Sequence, residues 1–224
     1  MRLTLAGVSH HRAPIDLRER VALDLEACRD LAARLGGEAV VLSTCNRTEL
    51  YLAREEHVEA TAVAALAELA DDRGAELASA LYRLRDEAAA LHLFRVAGGL
   101  DSLVPGEGEI LGQVKSAFEA GSPGPFLDRL FRQALHAGRR VRLETAIGES
   151  PASVPSAAAA LAQQVFDDLS GHRVLVLGAG KISEATARNL ASRGANVAVV
   201  ANRTLARGED LAARLGAEAT TLEA

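Results

Sequence analysis

Residues 43–49 read Ser-Thr-Cys-Asn-Arg-Thr-Glu and follow the apolar run 39–42, so Cys45 stands at the end of a buried strand with Arg47 two residues on. A thiolate is a strong nucleophile toward an acyl carbon, and nearby positive charge lowers a thiol pKa below its free value of about 8.5. The arginine fork also matches a carboxylate. The competing reading of a lone cysteine is a small buried hydrophobe, and spacing alone leaves both open. A second stretch with chemistry is Gly178-Ala179-Gly180-Lys181-Ile182-Ser183, reached from the apolar strand 173–177 and followed by a helical pattern. Strand, glycine turn and helix open a dinucleotide-binding unit: Gly178 permits the tight turn, and Gly180 lets the backbone approach a pyrophosphate at the helix N-terminus. Ser183 replaces the third glycine, so the G-x-G-x-x-G pattern is incomplete. After the next strand, Asn202-Arg203-Thr204 occupy the place where an NAD-binding chain carries a carboxylate. Arginine and hydroxyl suit a 2′-phosphate, which favours NADPH. A strand-turn-helix holding no ligand is the alternative.

The elements that must position these groups follow from hydrophobic period and turn residues. Strands are expected at 3–8, 39–43, 49–53 and 80–84, and helices at 23–35, 58–70 and 87–97, the first helix ended by Gly36-Gly37. That β-α-β-β-α-β order predicts a small antiparallel sheet with helices on one face. Helices at 113–120 and 126–145 are separated by Ser122-Pro123-Gly124-Pro125. Gly, Ser and Pro accumulate at 147–155 and mark a domain boundary. Beyond it come a helix at 156–168, the strand 173–177, a helix at 184–193, a strand at 196–201, a helix at 207–215 and the start of a third strand.

Composition narrows the class. Hydrophobic residues at 49% and charged residues at 25% of 224 fit a soluble globular protein of one or two domains. No apolar run approaches the roughly 18 residues of a membrane span, and the chain starts on a strand pattern instead of a signal peptide. Cys28 and Cys45 form no disulfide framework, so a reducing cytoplasm is expected, and no metal site is. The net charge of −5 argues against nucleic acid as a bulk partner. Locally, Arg129, Arg132, His136 and Arg139 or Arg140 share a helical face, with Leu127, Leu130, Phe131, Ala134 and Leu135 opposite. That face is either simply solvated or a phosphate-binding surface.

Four stretches taken together resemble the glutamyl-tRNA reductase family. They are the Cys45 segment, Ser9-His10-His11-Arg12-Ala13-Pro14 with Leu17-Arg18-Glu19, the run 92–104 beginning His92-Leu93-Phe94-Arg95, and Ile110-Leu111-Gly112-Gln113-Val114-Lys115. The resemblance implies an α/β protein, with an α+β catalytic domain that recognises glutamyl-tRNA at 1–150 and a partial Rossmann-like NADP-binding domain at 151–224. It implies NADPH-dependent reduction of glutamyl-tRNA to glutamate-1-semialdehyde through a cysteinyl thioester, the first step of the C5 route to 5-aminolevulinate and tetrapyrroles. Carried over by position, Cys45 is the nucleophile and His92 a base or orienting group. Thr44, Asn46, Arg47, Ser102, Glu107, Gly108, Glu109 and Gln113 form the substrate segments, with Arg47 the partner of the substrate's free carboxylate and Glu109 an alternative partner for its ammonium. Gly178, Ala179, Gly180, Lys181, Ile182, Ser183, Asn202, Arg203 and Thr204 hold the cofactor. Glutamyl-tRNA and the downstream glutamate-1-semialdehyde aminomutase are the implied partners.

Two residues depart from the family pattern, Pro105 for an aliphatic residue and Glu109 for glutamine. The family's remaining sheet strands, its connecting helix and the dimerisation domain that makes it a homodimer have no counterpart here. Reduction by this chain alone is therefore expected to be weak or absent. The competing functions are a cysteine-dependent glutamyl-tRNA esterase and a non-catalytic tRNA- or partner-binding module. A shikimate-type dehydrogenase shares Gly-Ala-Gly and Asn-Arg-Thr but leaves residues 43–49 and 92–104 unexplained.

Overall fold

The computed structural model describes residues 1–148 and 154–223. Contacts divide the chain into two units, 1–150 and 151–224. The boundary expected at 147–155 falls mostly on 149–153, outside the described residues.

The first unit is built on four antiparallel strands in the order β2-β3-β1-β4: β1 (Arg2–Ser9), β2 (Glu38–Ser43), β3 (Arg47–Arg54) and β4 (Tyr82–Arg85). The central pairing sets Leu5 opposite Tyr51 and Gly7 opposite Glu49. Side chains alternate between faces along a strand, and here both faces are covered. Leu3, Leu5, Val40, Leu42, Tyr51 and Ala53 pack beneath α5 (Asp86–Ala97), α6 (Glu109–Ala120) and α7 (Pro125–Glu144). Ala6, Val8, Ala39, Val41, Leu50 and Leu52 pack beneath α1 (Ile15–Arg20), α2 (Leu25–Leu35), α3 (Glu59–Leu69) and α4 (Gly74–Ala80). The expectation of helices on one face is thus corrected. The physical reason was visible in the apolar run Ala39-Val40-Val41-Leu42 of β2, which signifies a strand buried on both sides.

Local signals account for the element ends. Asp24 caps α2 by accepting from the Ala27 amide at 2.8 Å, and Gly36 ends it at φ 66°. The Glu38 carboxylate reaches across the chain to the first amides of α7, at 2.7 Å from Leu127 N, a charge placed where the helix dipole favours it. Aromatic packing of Phe131 against Tyr51 (5.3 Å, edge-on) and Phe118 (5.7 Å, stacked) locks α7 to the sheet and to α6.

The second unit contains α8 (Val154–Phe166), β5 (Arg173–Leu177), α9 (Lys181–Ala191), β6 (Asn196–Ala201), α10 (Leu205–Leu215) and β7 (Glu218–Thr220). Its strands are parallel in the order β5-β6-β7, with Val176, Val197, Val200, Ala187 and Leu211 as the core. Strand, helix and parallel strand repeat as β5-α9-β6 and β6-α10-β7, the Rossmann-like arrangement.

Candidate active site

Cys45 lies in the short connection between β2 and β3, and its residue is exposed, whereas Cys28 on α2 is buried. The connection closes on itself. Thr44 N donates to Arg47 O at 2.8 Å, and Thr44 Oγ1 accepts from Asn46 N and Arg47 N, both at 3.2 Å. Arg18 of α1 clamps it from outside: its Nη1 donates to Cys45 O at 2.6 Å and to Asn46 Oδ1 at 3.3 Å. His10 N donates to Asn46 O at 2.9 Å. The cysteine is therefore presented on a rigid tip, as a nucleophile requires.

Arg47 is not where its spacing suggested. Its side chain is only 1% exposed and turns inward, with Nη1 on Glu49 Oε1 at 2.7 Å and Nη2 on Asp101 Oδ2 at 2.9 Å, while the Asp101 carbonyl shares Nη2. Both arms of its fork are engaged. The guanidinium acting electrostatically on the Cys45 thiol is instead that of Arg18. Partial burial pushes that thiol above its ordinary value and Glu107 adds to the rise, while Arg18 offsets only part of it. The expectation of a thiol lowered by Arg47 is corrected accordingly.

Glu49 is the centre of the buried chemistry. Its Oε1 accepts from Arg47, from Tyr82 Oη at 2.5 Å and from His92 Nε2 at 2.8 Å, and its Oε2 accepts from Tyr51 Oη at 2.5 Å. Burial alone would raise this carboxyl, but the hydrogen bond from His92 and the charge of Arg47 hold it well below the usual carboxylate range. The phenols of Tyr51 and Tyr82 are pushed well above theirs, by burial and by the Glu49 charge. An ionised carboxylate only accepts, so His92 donates to it through Nε2, and Nδ1 is the ring nitrogen turned away from Glu49. Space for this cluster comes from across the sheet: a Cβ on Gly7 would stand 2.8 Å from Glu49 Cγ and 2.9 Å from Tyr82 Oη.

The remaining residues named from the sequence gather on one loop and the start of α6. Ser102 is buried with its Oγ unpartnered. Glu107 and Glu109 both act electrostatically on Cys45. Gly108 is the N-cap of α6, and Gln113 lies one turn into that helix, half-buried. Among the described residues no hydrogen bond joins the Cys45 thiol to His92. A buried polar atom without a partner is uncommon, and His10 Nδ1 and Ser102 Oγ, both beside the Arg47–Asp101 contact in the chain or in space, are of that kind. Arg18, Glu49 and Asp101 stand inside the family-like stretches with no role assigned to them from the sequence, and Tyr51 and Tyr82 lie outside those stretches. A usable signal existed for Glu49, a carboxylate that opens the expected strand 49–53 directly before Leu50-Tyr51-Leu52-Ala53.

In the second unit Gly178 takes φ 93°, the left-handed region, and its amide donates to Ala201 O at 2.8 Å. Asn202 ties the two turns together, with Oδ1 accepting from Ala179 N at 3.1 Å and Nδ2 donating to Thr204 O at 2.7 Å. Gly180 caps α9 without a side-chain cap, and a Cβ built there meets nothing within 4 Å. Lys181, Ile182, Arg203 and Thr204 are exposed and Ser183 is half-buried. Open helix amides and an unobstructed glycine leave room for a dinucleotide's pyrophosphate, and Arg203 stands exposed beside them.

Comparison with known proteins decides the family. The model of the glutamyl-tRNAGlu reductase N-terminal domain matches residues 6–145. The chain belongs to the glutamyl-tRNA reductase family. The shikimate/quinate 5-dehydrogenase model matches residues 160–224, in keeping with the Rossmann-like second unit. Glutamyl-tRNA reductase from Rubrobacter xylanophilus is 48% identical over 99% of this chain and 54% of its own length. That from Pseudomonas syringae pv. tomato is 46% identical over 96% and 53%. The solved structure of glutamyl-tRNA reductase from Methanopyrus kandleri superposes with a TM-score of 0.58 at 36% identity, over 99% of this chain and 54% of that one. The chain spans about half the length of the glutamyl-tRNA reductases it matches.

Proposed function

We propose that this chain acts in NADPH-dependent reduction of glutamyl-tRNA to glutamate-1-semialdehyde, an oxidoreductase step toward 5-aminolevulinate and tetrapyrroles in a reducing cytoplasm. The observation that carries the reading is the exposed Cys45 on a hydrogen-bonded turn that leads into β3, whose Arg47 and Glu49 open a buried network reaching His92, inside the segment that matches the family. Cys45 Sγ attacks the ester carbonyl, the carbon–oxygen bond to the tRNA breaks, and the terminal hydroxyl leaves with a proton. A glutamyl thioester remains on Cys45, and covalent capture divides one hard step into two easier ones. His92 is suited to proton transfer through Nδ1, since Glu49 engages Nε2. Arg18 and the Thr44 turn keep the thiol in place.

Arg47 serves the substrate's free carboxylate by exchange. Its Nη2 is released from Asp101 and keeps Glu49 on the other arm. Ser102 Oγ supplies an unspent hydrogen bond, Glu107 or Glu109 meets the ammonium, and Thr44, Asn46, Gly108 and Gln113 shape the surround. Gly178 to Ser183, with Arg203 and Thr204, would hold NADPH, which would supply a hydride to the thioester carbon, the carbon–sulfur bond breaking to give the aldehyde and return the Cys45 thiolate. An aminomutase consuming that aldehyde is the partner expected next.

The test is a single-turnover assay with glutamyl-tRNA, with and without NADPH, comparing this chain with Cys45→Ser. A Cys45-dependent glutamyl adduct that NADPH turns to aldehyde only slowly in this chain is the expected result. Release of free glutamate whether or not NADPH is present would replace the reductase reading with an esterase. Binding without any adduct would leave a tRNA-binding module.

A further inference from the structure

We infer that the outward face of α7 is the surface on which the RNA of the substrate lies, with Arg129, Arg132, Arg139 and Arg140 meeting its phosphates. The inference rests on the proposed function and adds to it the place where the tRNA body docks.

Helix α7 carries five arginines against one aspartate and one glutamate, in a chain whose net charge is −5. At about 100° per residue, Arg129, Arg132, His136, Arg139 and Arg140 fall within roughly 100° of arc, and all five are exposed. Leu127, Phe131, Ala134, Leu135 and Gly138 form the buried side. Arg132 and Arg140 make i,i+4 pairs with Asp128 and Glu144, both at 2.8 Å, with arginine side chains 66% and 60% exposed. Exposed pairs of this kind contribute little, so phosphate can replace the carboxylate at small cost. Among the described residues no carboxylate pairs with Arg129 or Arg139. From Arg129 to Arg140 the helix rises about 16 Å, enough for several phosphates.

Two contacts fix this surface relative to the nucleophile. Gly138 brings α7 against α5, where an added Cβ would stand 2.5 Å from Ala97 O, and α5 carries His92. One helical turn beyond Arg139, Arg142 grips the loop before α6, with Nη2 on Glu107 O at 2.7 Å and Nη1 on Gly106 O at 3.2 Å. Glu107 and Glu109, on that loop and at the start of α6, are the carboxylates that act on the Cys45 thiol. An acyl group at Cys45 and a phosphate backbone along α7 therefore lie on the same unit. Each such contact releases counterions, so binding must weaken steeply with salt.

The experiment compares the whole chain with Arg129→Gln/Arg139→Gln and with the control Arg29→Gln on α2. It measures tRNA affinity across a salt series and the concentration dependence of Cys45 adduct formation from glutamyl-tRNA. The double variant is expected to bind tRNA severalfold more weakly, with a log–log salt slope shallower by about two. Its half-saturation for adduct formation should rise while the saturated rate holds, and alkylation of Cys45 by iodoacetamide should be unchanged. Arg29→Gln should behave as the parent. Adduct formation with unaltered tRNA affinity in the double variant would overturn the docking surface and leave the proposed function standing. Absence of both tRNA binding and adduct in the parent chain would overturn the function and the surface with it.

Discussion

Glu49 Oε1 and His92 Nε2 stand 2.8 Å apart, joining the middle of β3 to the middle of α5, with the Glu49 carboxylate fully enclosed. This is the contact through which a buried ion pair reaches an imidazole with one free nitrogen. Removing one member of a buried pair strands the other, at a cost of about 3–5 kcal/mol. Glu49→Gln should therefore lower the urea midpoint substantially, whereas Glu109→Gln, exposed at the start of α6, should barely move it. The pH dependence follows from the depressed carboxyl. Its stabilisation is fully present above the unfolded carboxyl value of about 4.3 and is lost as pH falls toward its lower folded value. Urea midpoints measured from pH 7 down to pH 2 should drop more steeply in the parent than in Glu49→Gln. Parallel curves would show that Glu49 is not the group responsible.

The two cysteines should differ sharply toward iodoacetamide. Cys28 is buried and pushed up to about 11, by burial first and by Asp24 second. It should stay unlabelled until the chain unfolds. Cys45 is exposed, yet its thiol is raised by partial burial and by Glu107, against the opposing charge of Arg18. Its alkylation rate should climb at a pH above that of a free cysteine, near 8.5. Glu107→Gln should shift the profile to lower pH and Arg18→Gln to higher pH. A profile unmoved by both substitutions would remove these charges from any account of Cys45 reactivity.

Most of the architecture was legible because its elements are long and strongly periodic. β1, β2, α2, α3 and α5 fall within two residues of the expected bounds. α1 and α4 were missed because six or seven residues give too little period to register, and α1 begins after Pro14 with no side-chain cap. At the site, short motifs single out Cys45, His92, Ser102 and Glu107, but partnership across space leaves no trace in spacing. Arg47 meets Asp101 across 54 residues, and Glu49 meets His92 across 43. Gly7 is the same kind of case, since its need for no side chain is set by Glu49 on the neighbouring strand. Gly7→Ala should cost about 1–3 kcal/mol through overpacking, read as a lowered thermal midpoint, and a variant as stable as the parent would mean the cluster yields easily.

Cofactor preference offers the sharpest test of the second unit. Asn202 is committed to holding two turns together, through Ala179 N and Thr204 O. Arg203 beside it is exposed, and no carboxylate pairs with it among the described residues. A guanidinium so placed can grip a 2′-phosphate without losing an existing bond, and charge-assisted hydrogen bonds are worth about 1.5–3 kcal/mol each. Arg203→Ala should therefore weaken NADPH binding by about tenfold or more and leave NADH binding nearly unchanged, measured by titration of nicotinamide fluorescence. Gly178→Ala should weaken both equally, because φ 93° strains any residue with a Cβ and the turn beneath the pyrophosphate is lost with it. Equal losses for the two cofactors in Arg203→Ala would place the 2′-phosphate elsewhere, and an unimpaired Gly178→Ala would show that the glycine turn does not carry the pyrophosphate.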